Sequence, residues 1–242
     1  MRAREYFLRL LASRCIADLR RYFSGRELRE MLERKGVKLS DPEVSRYATG
    51  RVIPSLDRAV AILETACEAL SRILERLVVI DERGVVNVSR LAFELPLLRL
   101  AAVRALMRFG DEEIDRVLTA AVNGIPLATL IANYLGAELC VAKQHMDALS
   151  IRYLEVKYFA PSPPRYQPLY LPEHMLPPGC RVLLVDDLLQ SGRTLGALAN
   201  LVKKAGARVV GVFSLLGLGR EWRGVVEKLG AKLDVVLEVA NQ

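Results

Sequence analysis

Hydrophobic residues follow two rhythms along the chain, and the change between them comes about a third of the way through. In the first third, apolar residues recur at three- and four-residue spacing, which predicts amphipathic helices. The predicted helices are residues 5–23, 26–35, 42–49 and 55–77. Residues suited to helix ends flank them, with N-caps at Ser24, Asp41 and Ser55 and a stop at Gly36. Residues 1–80 are therefore predicted to be all-α.

The rest of the chain alternates short apolar runs with helical stretches. The runs are residues 117–122, 139–142, 182–185, 209–213 and 235–239, and the helices are 125–135, 192–205 and 221–229. Nearly continuous hydrophobic strands that alternate with helices predict an α/β fold, a parallel sheet with helices on both faces. Turn residues at 81–87 mark the expected boundary between a domain at 1–80 and a domain at 81–242.

One segment, residues 144–178, is expected to be irregular, because it is rich in proline and too long for an ordinary connection. Long loops of this kind are usually lids or binding loops. His145 and Lys157 are the candidates for a catalytic role within it, although a loop histidine is more often a surface residue.

Composition narrows the class of protein. The mean hydropathy is +0.20, but polar or charged residues interrupt each long apolar stretch, so no membrane span is expected. Arg9, Arg14 and Asp18 break up any signal-peptide core, and we expect a cytoplasmic protein. The four cysteines are far apart and are best explained as free thiols.

The net charge of +7 is unevenly distributed. Residues 1–80 hold 16 Lys and Arg against 11 Asp and Glu, whereas the remaining residues hold 19 against 17. This asymmetry favours a polyanionic partner for the first third, with a mildly basic solvated surface as the alternative.

The stretch RVLLVDDLLQSGRTL, residues 181–195, holds the clearest chemistry in the chain. A buried strand would end at Asp186 and Asp187, where carboxylates can accept hydrogen bonds from sugar hydroxyls. The following loop offers free backbone amides, hydroxyls and a helix N-terminus, which suit a phosphate monoester. Carboxylates for a diol beside amides for a phosphate describe a ribose 5-phosphate site.

This stretch resembles the phosphoribosyl pyrophosphate (PRPP) motif of type I phosphoribosyltransferases. The resemblance implies that fold, PRPP as ligand, and Mg²⁺ bound through PRPP with no direct protein ligand. Residues 120–136 similarly resemble the family's pyrophosphate loop, with Gly124 permitting a tight turn. The implied PRPP-binding residues are Asp186, Asp187, Leu188, Leu189, Gln190, Ser191, Gly192, Arg193 and Thr194, and those for the diphosphate are Val122, Asn123, Gly124 and Lys143.

Two positions depart from the family pattern. Some enzymes of the family that act on hydroxypurines carry an acid as proton acceptor at the place of Gln190, and an amide cannot do that work. Arg193 replaces a residue that is commonly small. No catalytic residue can be assigned from the sequence, and catalysis is placed in doubt without being excluded.

Residues 24–63 resemble the helix-turn-helix of the phage-repressor type. Helices 26–35 and 42–49 are followed by a Gly-Arg-x-x-Pro-Ser-Leu exit. The resemblance implies contacts with double-stranded DNA from Glu43, Ser45, Arg46, Tyr47 and Arg51. The alternative is a helical dimerisation module, and helix 56–77 could link the domains, pack across a dimer or complete the core of the N-terminal domain.

These features favour a DNA-binding transcriptional regulator, a homodimer that senses PRPP or a nucleotide. This arrangement resembles the purine repressor of Gram-positive bacteria and archaeal orotate phosphoribosyltransferase-like regulators. The alternative is an active phosphoribosyltransferase that transfers ribose 5-phosphate from PRPP to a purine or pyrimidine base. A purely structural nucleic-acid-binding protein would leave the phosphate site unexplained.

Overall fold

The computed structural model describes residues 2–79, 86–147, 152–161 and 164–240. The chain forms two units, a helical unit of Met1–Leu77 and Glu94–Met107 and an α/β unit of Val78–Phe93 and Arg108–Gln242. Most of the predicted boundary at 81–87 lies outside the described residues. The division differs from that prediction in one respect, because Glu94–Met107 belongs to the helical unit.

Helices account for the whole regular structure of the first unit. They are α1 (Arg2–Leu19), α2 (Gly25–Glu33), α3 (Asp41–Ala48), α4 (Leu56–Leu77) and, after the short helix α5 (Val88–Ala92) of the α/β unit, α6 (Leu95–Phe109). Helix α1 packs on α3 and α4, and α2 packs on α4. Nine residues of α4 are buried, so this helix forms the core of its own unit, which was one of the three alternatives.

Local sequence explains where α2 and α3 begin. The hydroxyl of Ser24 accepts a hydrogen bond from the Glu27 amide at 3.2 Å, and the Glu27 carboxylate accepts one from the Ser24 amide at 2.8 Å. This capping box confirms the predicted start of α2. For α3, Ser40 is the N-cap and its amide donates to Glu43 at 2.9 Å, so the prediction of Asp41 as the cap was wrong by one residue.

A five-stranded parallel sheet forms the centre of the α/β unit. Its strands are β1 (Arg116–Ala120), β2 (Glu138–Ala142), β5 (Arg181–Leu189), β6 (Arg208–Leu218) and β7 (Lys232–Val239), in the order β2-β1-β5-β6-β7. The connecting helices are α7 (Gly124–Leu135), α8 (Arg193–Lys204) and α9 (Arg223–Leu229). All five predicted strands and the three helices between them are confirmed.

The direction of strand addition reverses between β1 and β5. From β1 the chain steps through α7 to β2, whereas from β5 it steps the other way through α8 and α9 to β6 and β7. Since parallel crossovers are right-handed, α7 covers one face of the sheet and α8 and α9 cover the other. The carboxyl ends of β1 and β5 therefore meet at a topological switch point, where ligands of such sheets bind.

Residues 144–178 do not form the predicted irregular loop. They contain an antiparallel ribbon of β3 (Tyr153–Pro161) and β4 (Pro164–Pro172), followed by a 3₁₀ turn, Glu173–Met175. Residues 148–151 and 162–163 of the segment lie outside the described residues. Four ribbon side chains that share one face are buried in the core of the unit, namely Leu154, Val156, Leu169 and Leu171.

Within the described ranges, none of the helices combines the length and apolar character needed to cross a bilayer.

Candidate functional site

A cavity of about 430 Å³ opens at the switch point between β1 and β5. The end of β1 with the turn after it, the end of β5 and the start of α8 supply most of its walls. The segment after β2 and the β3–β4 ribbon supply the rest. The lining residues are Ala120, Ala121, Val122, Asn123, Gly124, Gln144, Tyr158, Leu169, Asp186, Asp187, Leu188 and Thr194. Two segments that are more than 60 residues apart in sequence, the proposed diphosphate loop and the acidic pair, therefore share one cavity.

The acidic pair lies within β5, because the strand continues to Leu189. Asp187 is only 7% exposed, and its amide donates a hydrogen bond to the Asp186 carboxylate at 3.0 Å. Burial, and then the neighbouring Asp187 carboxylate, raise the pKa of Asp186 well above its ordinary value. Burial therefore disfavours the ionised form of Asp186 in the ligand-free protein, and an approaching cation would favour it.

Gly124 brings the turn after β1 close to the acidic pair. A Cβ atom at this position would lie 2.3 Å from the Thr119 Oγ1 atom and 3.6 Å from a carboxylate oxygen of Asp186. Its backbone φ is not positive, so the glycine permits the predicted tight turn without a left-handed conformation. The reason is close approach, because the backbone passes where a side chain would otherwise stand.

Gly192 shapes the loop that begins α8. It has a φ of +71°, and a Cβ atom there would lie 2.9 Å from the Trp222 Cα atom and 3.0 Å from Val225. Both the conformation and the packing therefore demand glycine. Thr194, two residues later, lines the cavity.

The other residues of the predicted PRPP motif divide by exposure. Leu188 lines the cavity, but the Leu189 side chain is 1% exposed and lies in the core, so only its backbone is available to a ligand. Gln190, Ser191 and Arg193 are exposed. The Arg193 amide donates to the Ser191 hydroxyl at 3.4 Å, which holds the loop in a tight turn.

Lys143 does not line the cavity. Its ammonium group forms an ion pair with Asp147 at 3.0 Å, and its backbone pairs with Tyr170. His145 is exposed and is likewise not a lining residue, and Lys157 pairs with Glu155 at 3.3 Å. Contact of Lys143 with a diphosphate stays a prediction that would require this ion pair to open.

Five lining residues were not among the predicted contacts: Ala120 and Ala121, at and just after the end of β1, and three residues from other segments. Gln144 follows β2, and Tyr158 and Leu169 belong to the ribbon. The Tyr158 hydroxyl is hydrogen-bonded to the Gln167 side chain at 2.8 Å, and its ring packs on the core. Alternation along residues 153–161 was the available signal, since it places Leu154, Val156 and Tyr158 on one face.

The predicted DNA-contacting residues of α3 lie on two different faces. Ser45, Arg46 and, just beyond the helix, Arg51 are exposed. Tyr47 is only 6% exposed, and the Arg58 guanidinium donates a hydrogen bond to its hydroxyl at 3.0 Å. A direct DNA contact from Tyr47 is therefore wrong for this conformation, because its ring belongs to the core.

Glu43 has a structural task as well. Its carboxylate accepts a hydrogen bond from the N-cap amide of Ser40 and forms an ion pair with Arg58 at 3.3 Å. These interactions, led by the backbone hydrogen bond, lower the pKa of Glu43. The connection between α2 and α3 spans residues 34–40, which is longer than the three- or four-residue turn usual in helix-turn-helix motifs.

The family of the α/β unit follows from comparison with known proteins. Residues 97–229, more than half of the chain, match the family model of the phosphoribosyl transferase domain. The chain belongs to the phosphoribosyl transferase domain family.

Its relatives include both regulators and enzymes. The chain is 31% identical over 121 residues to the purine biosynthesis transcriptional repressor PurR of Bacillus subtilis, an alignment that covers 50% of this chain and 41% of the repressor. It is 30% identical over 143 residues to a hypoxanthine/guanine phosphoribosyltransferase of Methanotorris igneus, which covers 59% of this chain and 75% of the enzyme. The chain thus spans about two fifths of the repressor's length.

Solved structures confirm the fold. The adenine phosphoribosyltransferase of Rhodothermus marinus matches with a TM-score of 0.60 and 24% identity, over 71% of this chain and 99% of that one. The enzyme from Giardia lamblia, complexed with 9-deazaadenine, matches with a TM-score of 0.62 and 19% identity, over 71% of this chain and 98% of that one. The α/β unit therefore has the type I phosphoribosyltransferase fold.

Proposed function

We propose that the cavity at the acidic pair binds PRPP together with Mg²⁺. The residues fit this ligand: Asp186 and Asp187 face the cavity as acceptors for ribose hydroxyls, and the backbone at Gly124 leaves room for a diphosphate. The loop at residues 190–194 would take the 5-phosphate. Magnesium would neutralise diphosphate charge, and its approach would favour the ionised form of Asp186, whose pKa is raised in the free protein.

We further propose that the protein is a DNA-binding transcriptional regulator, cytoplasmic and homodimeric, that senses PRPP or a related nucleotide. The carrying observation is that one chain joins this cavity to a separate helical unit in which α3 presents Ser45 and Arg46 to solvent. Arg51 adds a third exposed polar side chain next to α3. The similarity to PurR over half of the chain supports this assignment.

Regulation requires that the ligand distinguish two states of the protein. A ligand that binds both states equally shifts nothing, and coupling to DNA cannot exceed the difference in its affinities. For this protein, PRPP would therefore have to bind the cavity at the acidic pair more tightly in one state than in the other.

A second candidate function, an active phosphoribosyltransferase, is favoured by the same cavity. Both carboxylates, the turn after β1 and Thr194 at the start of α8 line it, and related enzymes align over most of their length. The exposed amide of Gln190 weighs against the hydroxypurine-type reaction, since it cannot accept a proton from a base.

Fluorescence anisotropy tests the regulator. Duplexes enriched by the protein from a random library would be labelled and titrated with the full chain at fixed salt, with and without PRPP and Mg²⁺. We expect selective binding that changes with PRPP, and loss of that binding in Arg46→Ala. Arg20→Ala, which changes an exposed arginine directly after α1, is the matched control.

Two results would contradict the regulator. One is failure to enrich any sequence, and the other is binding that PRPP leaves unchanged. Release of pyrophosphate from PRPP in the presence of a nucleobase panel would then establish the enzyme instead.

A further inference from the structure

A second and larger cavity, of about 640 Å³, lies in the α/β unit at the C-terminal end of α8. The start of β3, the 3₁₀ turn after β4 and the end of α8 enclose it. None of its lining residues lines the cavity at the acidic pair. Its volume falls within the range of about 300–1,000 Å³ that is typical of small-molecule sites.

The floor of this cavity is apolar and rigid. Leu154 and Leu176 are 8% and 1% exposed, so their side chains are anchored in the core beneath it. Pro177 and Pro178 form one wall, and their rings restrict movement of the backbone. Such a surface suits a planar or otherwise compact apolar body.

The rim of the cavity is cationic. The Lys204 ammonium donates a hydrogen bond to the backbone carbonyl of Glu155 at 2.6 Å, which fixes its position while leaving its charge uncompensated by that partner. The Arg152 Nε atom forms an ion pair with the Glu173 carboxylate at 3.0 Å. The guanidinium carries further hydrogen-bond donors on its two terminal nitrogens. His174 completes this edge.

The positive charge extends into an adjoining cavity of about 520 Å³ that shares Lys204. Lys203 and Lys157 line it, and Lys157 is paired with Glu155. Together the two cavities are lined by four cationic side chains, Arg152, Lys157, Lys203 and Lys204. Two carboxylates, Glu155 and Glu173, form ion pairs with them, which leaves a surplus of two positive charges. That surplus matches a phosphate monoester, which carries about two negative charges at neutral pH, better than a single carboxylate.

We propose that the 640 Å³ cavity is a second ligand site, for a phosphate monoester on a planar apolar body. Lys204 and Arg152 bind the phosphate, while Leu154, Leu176 and the two prolines contact the apolar part. This proposal stands apart from the function proposed for the first cavity, because it rests on different residues.

Two elements form walls of both cavities, which gives the second site a way to act on the first. Thr194 at the start of α8 lines the first cavity and Lys204 at its end lines the second, about 15 Å away at 1.5 Å per residue. Likewise, β3 supplies Tyr158 to the first and Leu154 to the second. A ligand in the second site is therefore placed to change affinity at the acidic pair.

Isothermal titration calorimetry with AMP as the probe tests the proposal. The full chain carrying Asp187→Asn provides a background in which the first cavity is impaired. We expect AMP binding to persist there and to weaken about tenfold on adding Lys204→Gln, because a charged hydrogen bond is lost. Lys204→Arg should retain binding, and adenosine, which lacks the phosphate, should bind weakly throughout.

Lys228→Gln is the matched control, since Lys228 is also an exposed lysine in the last turn of a helix. Lys228→Gln should leave the affinity for AMP unchanged, and its thermal unfolding midpoint should equal that of Lys204→Gln. Equal AMP affinity with and without Lys204→Gln, or no AMP binding in the Asp187→Asn chain, would overturn the proposal. Failure of wild-type protein to bind PRPP with Mg²⁺ would overturn only the function proposed for the first cavity.

Discussion

Single residues at the switch point decide how close the turn after β1 and the loop before α8 come to their neighbours. Gly124 lets the turn after β1 approach Asp186, and Gly192 lets the loop before α8 lie on Trp222. The sequence shows only that a glycine lies near the start of a helix in each case, and it does not show either close approach. Each role depends on which atoms the fold places opposite the missing side chain.

Gly124→Ala should damage the cavity. The new Cβ atom would overlap Thr119 Oγ1, so β1 or the turn must shift, and we expect a loss of about 1–3 kcal/mol in the free energy of unfolding together with loss of PRPP affinity. Denaturant unfolding and PRPP titration would measure both. Gly224→Ala is the control, because nothing lies within 4 Å of its Cβ position. Equal stability and affinity in the two variants would refute the close-approach argument.

Asp186→Asn should stabilise the ligand-free protein at neutral pH while weakening PRPP binding. The folded-state pKa of Asp186 is raised, so the folded protein holds a proton that the unfolded chain releases, and stability falls as pH rises from the unfolded value through the folded one. Asp186→Asn cannot release this proton, so the part of the fall in stability that comes from Asp186 should be absent from the variant. Unfolding midpoints of both proteins across pH 4 to pH 8 would show it, and parallel pH profiles would count against the assignment.

At the scale of elements, the ribbon was the largest error. Proline argued against strands in residues 144–178, yet Pro161, Pro164, Pro168 and Pro172 all lie in β3 or β4. Each strand of a two-stranded ribbon has one edge without a partner strand, where a missing N–H costs no ladder hydrogen bond. Helix α6, residues 95–109, was not predicted at all.

The helical unit depends on an ion pair between α1 and α6. The Arg99 guanidinium donates to both carboxylate oxygens of Asp18, at 2.8 and 2.5 Å, and Asp18 is 2% exposed. Asp18→Ala should cost about 3–5 kcal/mol, because it removes one member of a buried ion pair. Denaturant unfolding of the full chain would measure the loss.

The exposed pair of Arg26 and Glu30 offers the comparison for that experiment. Arg26→Ala should leave the unfolding midpoint unchanged, since water screens an exposed pair. A shift as large as that of Asp18→Ala would show that burial does not explain the difference.

For the whole molecule, charge is the property that bears on a nucleic-acid partner. Of the net +7, a surplus of 5 belongs to residues 1–80, the part of the chain that contains α3. Such a surplus favours contacts with phosphates, which position a protein on DNA without reading its sequence.

The proposed DNA binding should therefore weaken steeply with salt. Arg51→Ala should reduce the slope of log affinity against log salt by about 0.9, the value for one phosphate contact, with little change in sequence preference. Anisotropy titrations at several salt concentrations would measure the slopes. An unchanged slope would remove Arg51 from the interface.

The sequence by itself determined the class of fold and the chemistry of the acidic pair. Strand and helix periodicity are local, and Asp186, Asp187 and the loop up to Thr194 are contiguous, so their order along the chain already predicts a sugar-phosphate site. Tertiary structure decided what depends on distant neighbours. It placed Tyr47 and Leu189 in cores, tied Lys143 to Asp147 and added Tyr158 to the cavity. It also raised the pKa of Asp186, because burial is a property of the surrounding fold.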